Sequence, residues 1–313
     1  MKTKILLFGA SGFIGKNLMA ALANTPETKL VALSRNWDKY PAVQQHHTDF
    51  LHADLENSSS YVHLLDEKTI VIDLAFDGIP SQPEAVLNQE LSKNLYPHLE
   101  LLSHCVEAKV RCFVFGTSGG TVYGNLSEKK KIQETQPCNP HNIYGLNKVT
   151  IENFIRSQDQ KLNHLILRFA NPYGPCQDIR KGVGFIAKAL DCIKHSEEMT
   201  LYGSGNKVRD FIYIEDLCRA IAGLLFRRDL YNETFNIGQS IGYSLNQIIT
   251  IIEDVTGEKI RIKRDDHRMF DAYYNILNHS KIQASTGWQP KEDIYSGIRK
   301  HWEFVSQSKT IVP

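Results

Sequence analysis

Short apolar runs alternate with amphipathic stretches over the first half of the chain. "KILLFGA", "KLVALS", "TIVIDLAF", "RCFVFGTS" and "HLILRFAN" are near-continuous apolar runs of strand length, the pattern of strands buried on both faces. Between them Ile14, Leu18 and Leu22 recur at helical spacing, as do Leu95, Leu99, Leu102 and Val106. Strand–helix alternation predicts an α/β architecture over residues 1–170, a doubly wound parallel sheet with right-handed crossovers. After "NPYGP" the pattern changes. Gly and Pro become frequent, and "LYGSGNKVRDFIYIEDL" and "RIKRDDHRMFDAYYN" concentrate charge. Residues 171–313 read mainly as a smaller α/β substrate-binding lobe closing over the strand ends. Segments near 208–222 and 234–238, "FIYIEDLCRAI" and "TFNIG", read as returns to the first domain. There is no internal repeat, and "SEKKKIQE" reads as a solvated loop.

Composition adds exclusions. With 313 residues, 42% hydrophobic and 23% charged, the chain is of ordinary globular type. Lys plus Arg number 36 against 35 for Asp plus Glu, a formal charge of +1. Such a balance gives no field to attract nucleic acid or an anionic membrane, so an anionic ligand must be held by a few local cations. The apolar run in "MKTKILLFGASGF" is too short for a signal peptide, and no apolar stretch approaches the ~18 residues of a membrane span. Six cysteines without a C-x-x-C spacing suit a reducing cytoplasm. The twelve histidines show no ligand spacing, so no metal is expected.

The first chemistry lies at the first strand–helix junction. "ILLFGASGFIG" sets Gly9, Gly12 and Gly15 between strand and helix, where glycines let the chain turn tightly against a pyrophosphate facing the helix N-terminus. This is a Rossmann-type dinucleotide turn, and it includes Ser11, Phe13 and Ile14. The second strand ends in Ser34 and Arg35, where an NAD-binding chain usually carries an acid for the adenosine ribose. A serine followed by a guanidinium suits a 2′-phosphate better, so NADP is favoured and NAD remains possible. Asp54 and Leu55, in "HADL", follow a third strand, where an adenine edge would be met.

The second chemistry is the pair Tyr144 and Lys148 in "HNIYGLNK", one helical turn apart on one face. A phenol titrates near 10, too high for a base at neutral pH, and a neighbouring ammonium lowers that value. The phenol can then take a proton from a substrate hydroxyl while hydride leaves the same carbon.

"GASGFIG", "GTSGGTVYG", "YGLNK", "LRFANPYGP", "VRDFIYIEDL", "FNIG" and "STGWQP" occur in one order along nearly the whole chain. In these motifs the sequence resembles the extended short-chain dehydrogenase/reductase family, in its nucleotide-sugar epimerase/dehydratase branch. The resemblance implies Tyr144 as acid/base, Lys148 as its modulator and nicotinamide-ribose ligand, and Asn94 as the asparagine of the central helix. It further implies that Leu74, Ala75, Thr117 and Phe169 border the cofactor. Asn171, Arg209, Arg268 and Asp271 are implied to hold the diphosphate and ribose of a nucleotide-sugar substrate, with a UDP-sugar the favoured class. A homodimer built through two helices of each subunit is implied as well.

Departures narrow the reading. Counted back from the tyrosine of "VYG", the family's catalytic serine or threonine falls on Gly119, which leaves Ser118 or Thr121 as the nearest hydroxyls. Gly120 and Thr121 stand where dehydratases carry an Asp-Glu pair, so no acid/base pair for eliminating water is evident. Asp73 replaces the histidine common in the family's "IHLAA". The implied activity is therefore nucleotide-sugar epimerisation through transient oxidation to a keto-sugar. The alternatives are reduction of a nucleotide keto-sugar with NAD(P)H and, in another class, non-catalytic dinucleotide sensing.

Overall fold

The structure, a computed structural model, describes residues 3–23, 25, 28–37, 48–78, 87–126, 129–179, 184–265 and 274–307. The first elements are β1 (Thr3–Phe8), α1 (Phe13–Leu22), β2 (Thr28–Ser34), β3 (Thr48–His52) and β4 (Thr69–Asp73). There follow α2 (Leu87–Asn94), α3 (Tyr96–Glu107), β5 (Cys112–Ser118), α4 (Ile143–Arg156), β6 (His164–Phe169) and β7 (Asn171–Tyr173). Then come α5 (Phe185–His195), β8 (Glu198–Tyr202), β9 (Val208–Tyr213), α6 (Ile214–Leu224), β10 (Glu233–Ile237) and β11 (Gly242–Ser244). The chain closes with α7 (Leu245–Thr256), β12 (Arg261–Asp265), β13 (Tyr274–Asn275), α8 (Ser280–Thr286) and α9 (Ile294–Gln307).

Seven strands form one parallel sheet in the order β10-β6-β5-β4-β1-β2-β3. Successive residues of each strand feed opposite faces, which is why these runs carry no polar alternation. Ile5, Leu7, Ile70 and Ile72 enter one core with Leu18 and Leu22 of α1 and Leu217 and Ile221 of α6. Leu6, Phe8, Val71, Phe113 and Phe115 enter the other, beneath Leu101 of α3 and Ile151 of α4. A second sheet, β11-β9-β13 with β7 also paired to β9, and a β12–β8 pair lie outside the large sheet. The segment "TFNIG" supplies β10, the strand at one edge of the large sheet.

One expected stripe is displaced. Leu95 falls at a break between α2 and α3, with φ −121° and ψ −62°. Pro97 lacks the N–H that a continuous helix would use, but it is tolerated in a first turn, so the helix restarts there. The buried face of α3 becomes Pro97, His98, Leu101, Leu102 and Cys105. Leu95, Leu99 and Val106 pack partly buried against the chain's own core. Of the four stripe residues only Leu102 is buried, and Leu95, Leu99 and Val106 are divided between core and surface.

Candidate active site

The glycine turn forms as its spacing requires. Gly9 has φ +74°, and a side chain there would meet the Leu74 backbone at 2.7 Å. A Cβ at Gly15 would lie 2.2 Å from the Gly9 carbonyl oxygen, so Gly15 lets α1 close onto the turn rather than touching a ligand. Gly12 caps α1 without a side chain, leaving the first N–H groups of the helix directed at the turn. The cleft above them, about 310 Å³, is lined by Gly9, Ser11, Gly12, Ser34, Arg35, Asp54, Leu55, Leu74, Ala75 and Asn94 among the expected residues. Asn36, Glu56, Phe76, Asp77 and Lys93 line it too, and sequence reasoning had not assigned them there. Phe13 and Ile14 instead pack on the core. A turn with no room for a Cβ at Gly9 or Gly15, beside uncapped helical N–H groups, fits a dinucleotide pyrophosphate.

Around the expected ribose end, Ser34 is buried and shares a 2.6 Å hydrogen bond with Ser11. Arg35 is engaged: its guanidinium pairs with Asp77 and lies 3.9 Å from Glu56. The Asn94 side chain accepts from the Asp77 N–H at 3.0 Å and donates to Glu90 at 3.0 Å. Its immediate role is thus to fix the loop after β4, which carries Phe76 and Asp77 along the cleft wall.

Tyr144 and Lys148 owe their placement to a cap. Asn142 accepts from the Gly145 N–H at 2.7 Å and starts α4, which sets Tyr144 in the first turn and Lys148 in the next. Lys148 is buried and its Nζ donates to the Gly116 carbonyl at 3.0 Å. The ammonium lies 3.8 Å from the ring centre of Phe76, 4.7 Å from that of Phe115 and 5.9 Å from that of Tyr144. Burial pulls the Lys148 ammonium down to about 8, against the opposing pull of Asp73 and Glu152. Burial pushes the Tyr144 phenol up to about 12, against a hydrogen bond from Ser118 that lowers it.

Of the two candidate hydroxyls, Ser118 is the one that bears on the phenol's titration. The Thr121 hydroxyl lies 3.5 Å from the Ser118 carbonyl, on its own turn. Ser118 is the last residue of β5, and the two glycines after it lengthen the turn. Gly119, the position reached by counting back four from Tyr123, carries no hydroxyl, and Ser118 is the residue immediately before it. A side chain at Gly119 would strike Leu277 at 2.5 Å rather than reach Tyr144, whereas one at Gly120 would face Ser118 Oγ and Asn171 Oδ1. Thr117 is buried with an unpartnered hydroxyl, and Phe169 stands beside Gly116 and Ser118 on the neighbouring strand.

The second sheet reaches the same place. Asn171 donates to the Asp210 carbonyl at 2.7 Å. Arg209, on β9, is in register with Asn275, whose side chain donates to the Gly119 carbonyl at 3.0 Å. Arg268 and Asp271 lie outside the described residues. Among the described residues, no group of three or more His, Cys, Asp or Glu is placed to hold a metal, and no helix is long and apolar enough to cross a membrane.

Residues 5–238 match the profile of the NAD dependent epimerase/dehydratase family. A dTDP-4-dehydro-6-deoxyglucose reductase of Escherichia coli is 29% identical over 308 residues, 96% of each chain. The crystal structure of a UDP-glucose 4-epimerase from Thermotoga maritima, with UDP-glucose, is 25% identical with a TM-score of 0.88, covering 96% of this chain and 98% of that one. MoeE5 in complex with UDP-glucuronic acid and NAD is 26% identical with a TM-score of 0.86, over 96% and 98%.

Proposed function

Because the chain belongs to the NAD dependent epimerase/dehydratase family, we propose that it is a nucleotide-sugar epimerase acting through a transient keto-sugar. The observation that carries the reading is the Ser118–Tyr144–Lys148 constellation beside the glycine-turn cleft. The glycine turn, Ser11, Ser34 and the wall from Leu74 to Asp77 would hold a nicotinamide dinucleotide. When bound, that group supplies reversible hydride transfer. Ser118 orients the substrate oxygen at the phenol. Tyr144 takes the hydroxyl proton and later returns it, and Lys148 stabilises the phenolate between the two events. Phe76 and Phe115 keep water from the ammonium.

Arg209 and Asn171, with Arg268 and Asp271, are proposed to hold the nucleotide diphosphate and ribose, and a UDP-sugar is the favoured class. Ser34 and Arg35 support NADP over NAD, although Asp77 already occupies the guanidinium. Exposed apolar residues on the two outer helices, Tyr96 at 60%, Leu146 at 51% and Phe154 at 48%, support a homodimer through α3 and α4. The free thiols fit a cytoplasmic setting.

A second reading, reduction of a nucleotide keto-sugar, is favoured by the 29% identical reductase. The two separate on stoichiometry, because an epimerase leaves its cofactor unchanged over a cycle and a reductase consumes one reduced cofactor per product. Mass identification of any co-purified dinucleotide, followed by assay of UDP-, dTDP- and GDP-sugars without added reductant, tests the proposal. Turnover only with stoichiometric NAD(P)H would replace it with the reductase.

A further inference from the structure

A second buried pair lies against the Tyr144–Lys148 couple. Asp73 Oδ2 and His98 Nδ1 are 2.6 Å apart, and both side chains are shut off from solvent. Asp73 ends β4 in register with Phe115 on β5, and the next β5 residue, Gly116, accepts the hydrogen bond from Lys148. The Phe76 ring stacks on His98 at 5.5 Å and meets the Tyr144 ring edge-on at 5.1 Å. One aromatic ring therefore touches His98, Tyr144 and Lys148.

The Lys148 ammonium sits among two ring faces and one carbonyl, on a side chain almost closed to solvent. Those groups are partial compensation for an ion taken out of solvent, and an anion is the remaining requirement. The carboxylates bearing on it are Asp73 on β4 and Glu152 on its own helix. Glu152 is already neutralised, by Arg168 at 2.6 Å and Arg156 at 2.9 Å. Among the described residues, Asp73 is hydrogen-bonded by His98 and, at Oδ1, by the Ala75 N–H at 3.2 Å. From α4 the Tyr144 phenol faces the ammonium as a neutral group, and from α3 His98 borders it through Phe76.

We propose that Asp73 is the counter-charge of Lys148 and that His98 holds Asp73 in place, the two acting as positioning residues for the Tyr144–Lys148 couple. The direction of the Lys148 titration agrees, since Asp73 is the larger of the two charges opposing burial. His98 serves with its Nδ1–H donating to the carboxylate, and its Nε2 then remains without a partner. With Asp73 neutralised, burial acts on the ammonium with less opposition and Lys148 discharges at lower pH. Tyr144 then loses the cation that favours its phenolate.

The inference rests on reading Tyr144 and Lys148 as the proton-handling pair. The test nevertheless observes Lys148 without substrate, so it can fail or succeed whichever reaction the site performs. In full-length protein labelled with 13C-lysine, the Lys148 Cε resonance, assigned through Lys148→Arg, is followed against pH. In Asp73→Asn the Lys148 midpoint should fall by about one pH unit. In His98→Leu, which removes the donor to Asp73 while filling its volume, the midpoint should fall in the same direction. In His98→Asn, which restores a donor at the Nδ1 position, it should recover. Should Asp73→Asn not fold, the His98 pair of variants decides. An unchanged Lys148 midpoint in whichever of Asp73→Asn and His98→Leu folds overturns the proposal.

Discussion

The side chain of Ser118 bears on the phenol of Tyr144 and opposes the upward push of burial, linking the last residue of β5 to the first turn of α4. The contact places a donor where the substrate oxygen would meet the phenol. Removing one such preorganised donor typically costs 10²–10³ in kcat. Ser118→Ala should therefore lower kcat by about 10²-fold or more with little change in KM, while Thr121→Ala should stay near wild type. Tyr144→Phe should lose at least ~10² in turnover and keep its dinucleotide affinity. Steady-state kinetics on the three variants check the assignment, and equal losses at Ser118 and Thr121 would withdraw it.

Most of the fold was legible because its strands are buried on both faces, which writes them as uninterrupted apolar runs such as "TIVIDLAF". The glycine turn and the Tyr144–Lys148 spacing were legible for a similar reason: each is a local constraint, one of backbone clearance and one of helical pitch. The choice between Ser118 and Thr121 was not, because it depends on which side chain lies near Tyr144 in space, and spacing along the chain does not carry that. The break at Leu95 required giving Pro97 more weight than the leucine period. Partnerships distant in sequence, Arg35 with Asp77 and Asp73 with His98, leave no trace in spacing, since sheet order makes the first and the packing of α3 on the sheet makes the second.

Arg209 stands on β9 beside Asn275, which in turn grips the Gly119 carbonyl. A guanidinium there would bind a diphosphate equally in ground and transition states, which raises KM on removal and spares kcat. Arg209→Ala should weaken UDP binding by about 10-fold or more, as expected for a charge-assisted contact. Calorimetric titration with UDP measures this directly. Unchanged UDP affinity would move the clamp away from Arg209.

The dimer prediction rests on the exposed Tyr96 of α3 and the exposed Leu146 and Phe154 of α4. Tyr96, Leu146 and Phe154 expose apolar surface that a monomer has no use for, and two such helices from each subunit would cover it. Light scattering at micromolar concentration should return twice the 35.6 kDa chain mass. Leu146→Glu together with Phe154→Glu should return a monomer whose fold, by circular dichroism, is intact. A monomeric wild type, or a dimer indifferent to both charges, would count against this face.

The cofactor preference turns on which anion Arg35 serves. Its guanidinium is half exposed and paired with Asp77, which is half exposed too, and Glu56 stands close by. A contact from Arg35 to a 2′-phosphate is worth roughly 1.5–3 kcal/mol before screening. Against it stand the exposed ion pair to be broken, worth about 0–1 kcal/mol, and the repulsion of a phosphate by the two carboxylates. The contact less the ion pair leaves about 0.5–3 kcal/mol for NADP, at most ~10²-fold since ~1.4 kcal/mol is a factor of ten, and screening and the carboxylate repulsion lower it further. Asp77→Asn removes the competitor and part of the repulsion, so it should tighten NADP severalfold and leave NAD nearly unchanged. Arg35→Ala should abolish the preference by weakening NADP alone. Fluorescence titration of the three proteins with each dinucleotide reads all six affinities. Tighter NAD in the wild type, with no gain for NADP in Asp77→Asn, would make Arg35 a wall of the cleft that closes on Asp77 and has no part in choosing the cofactor.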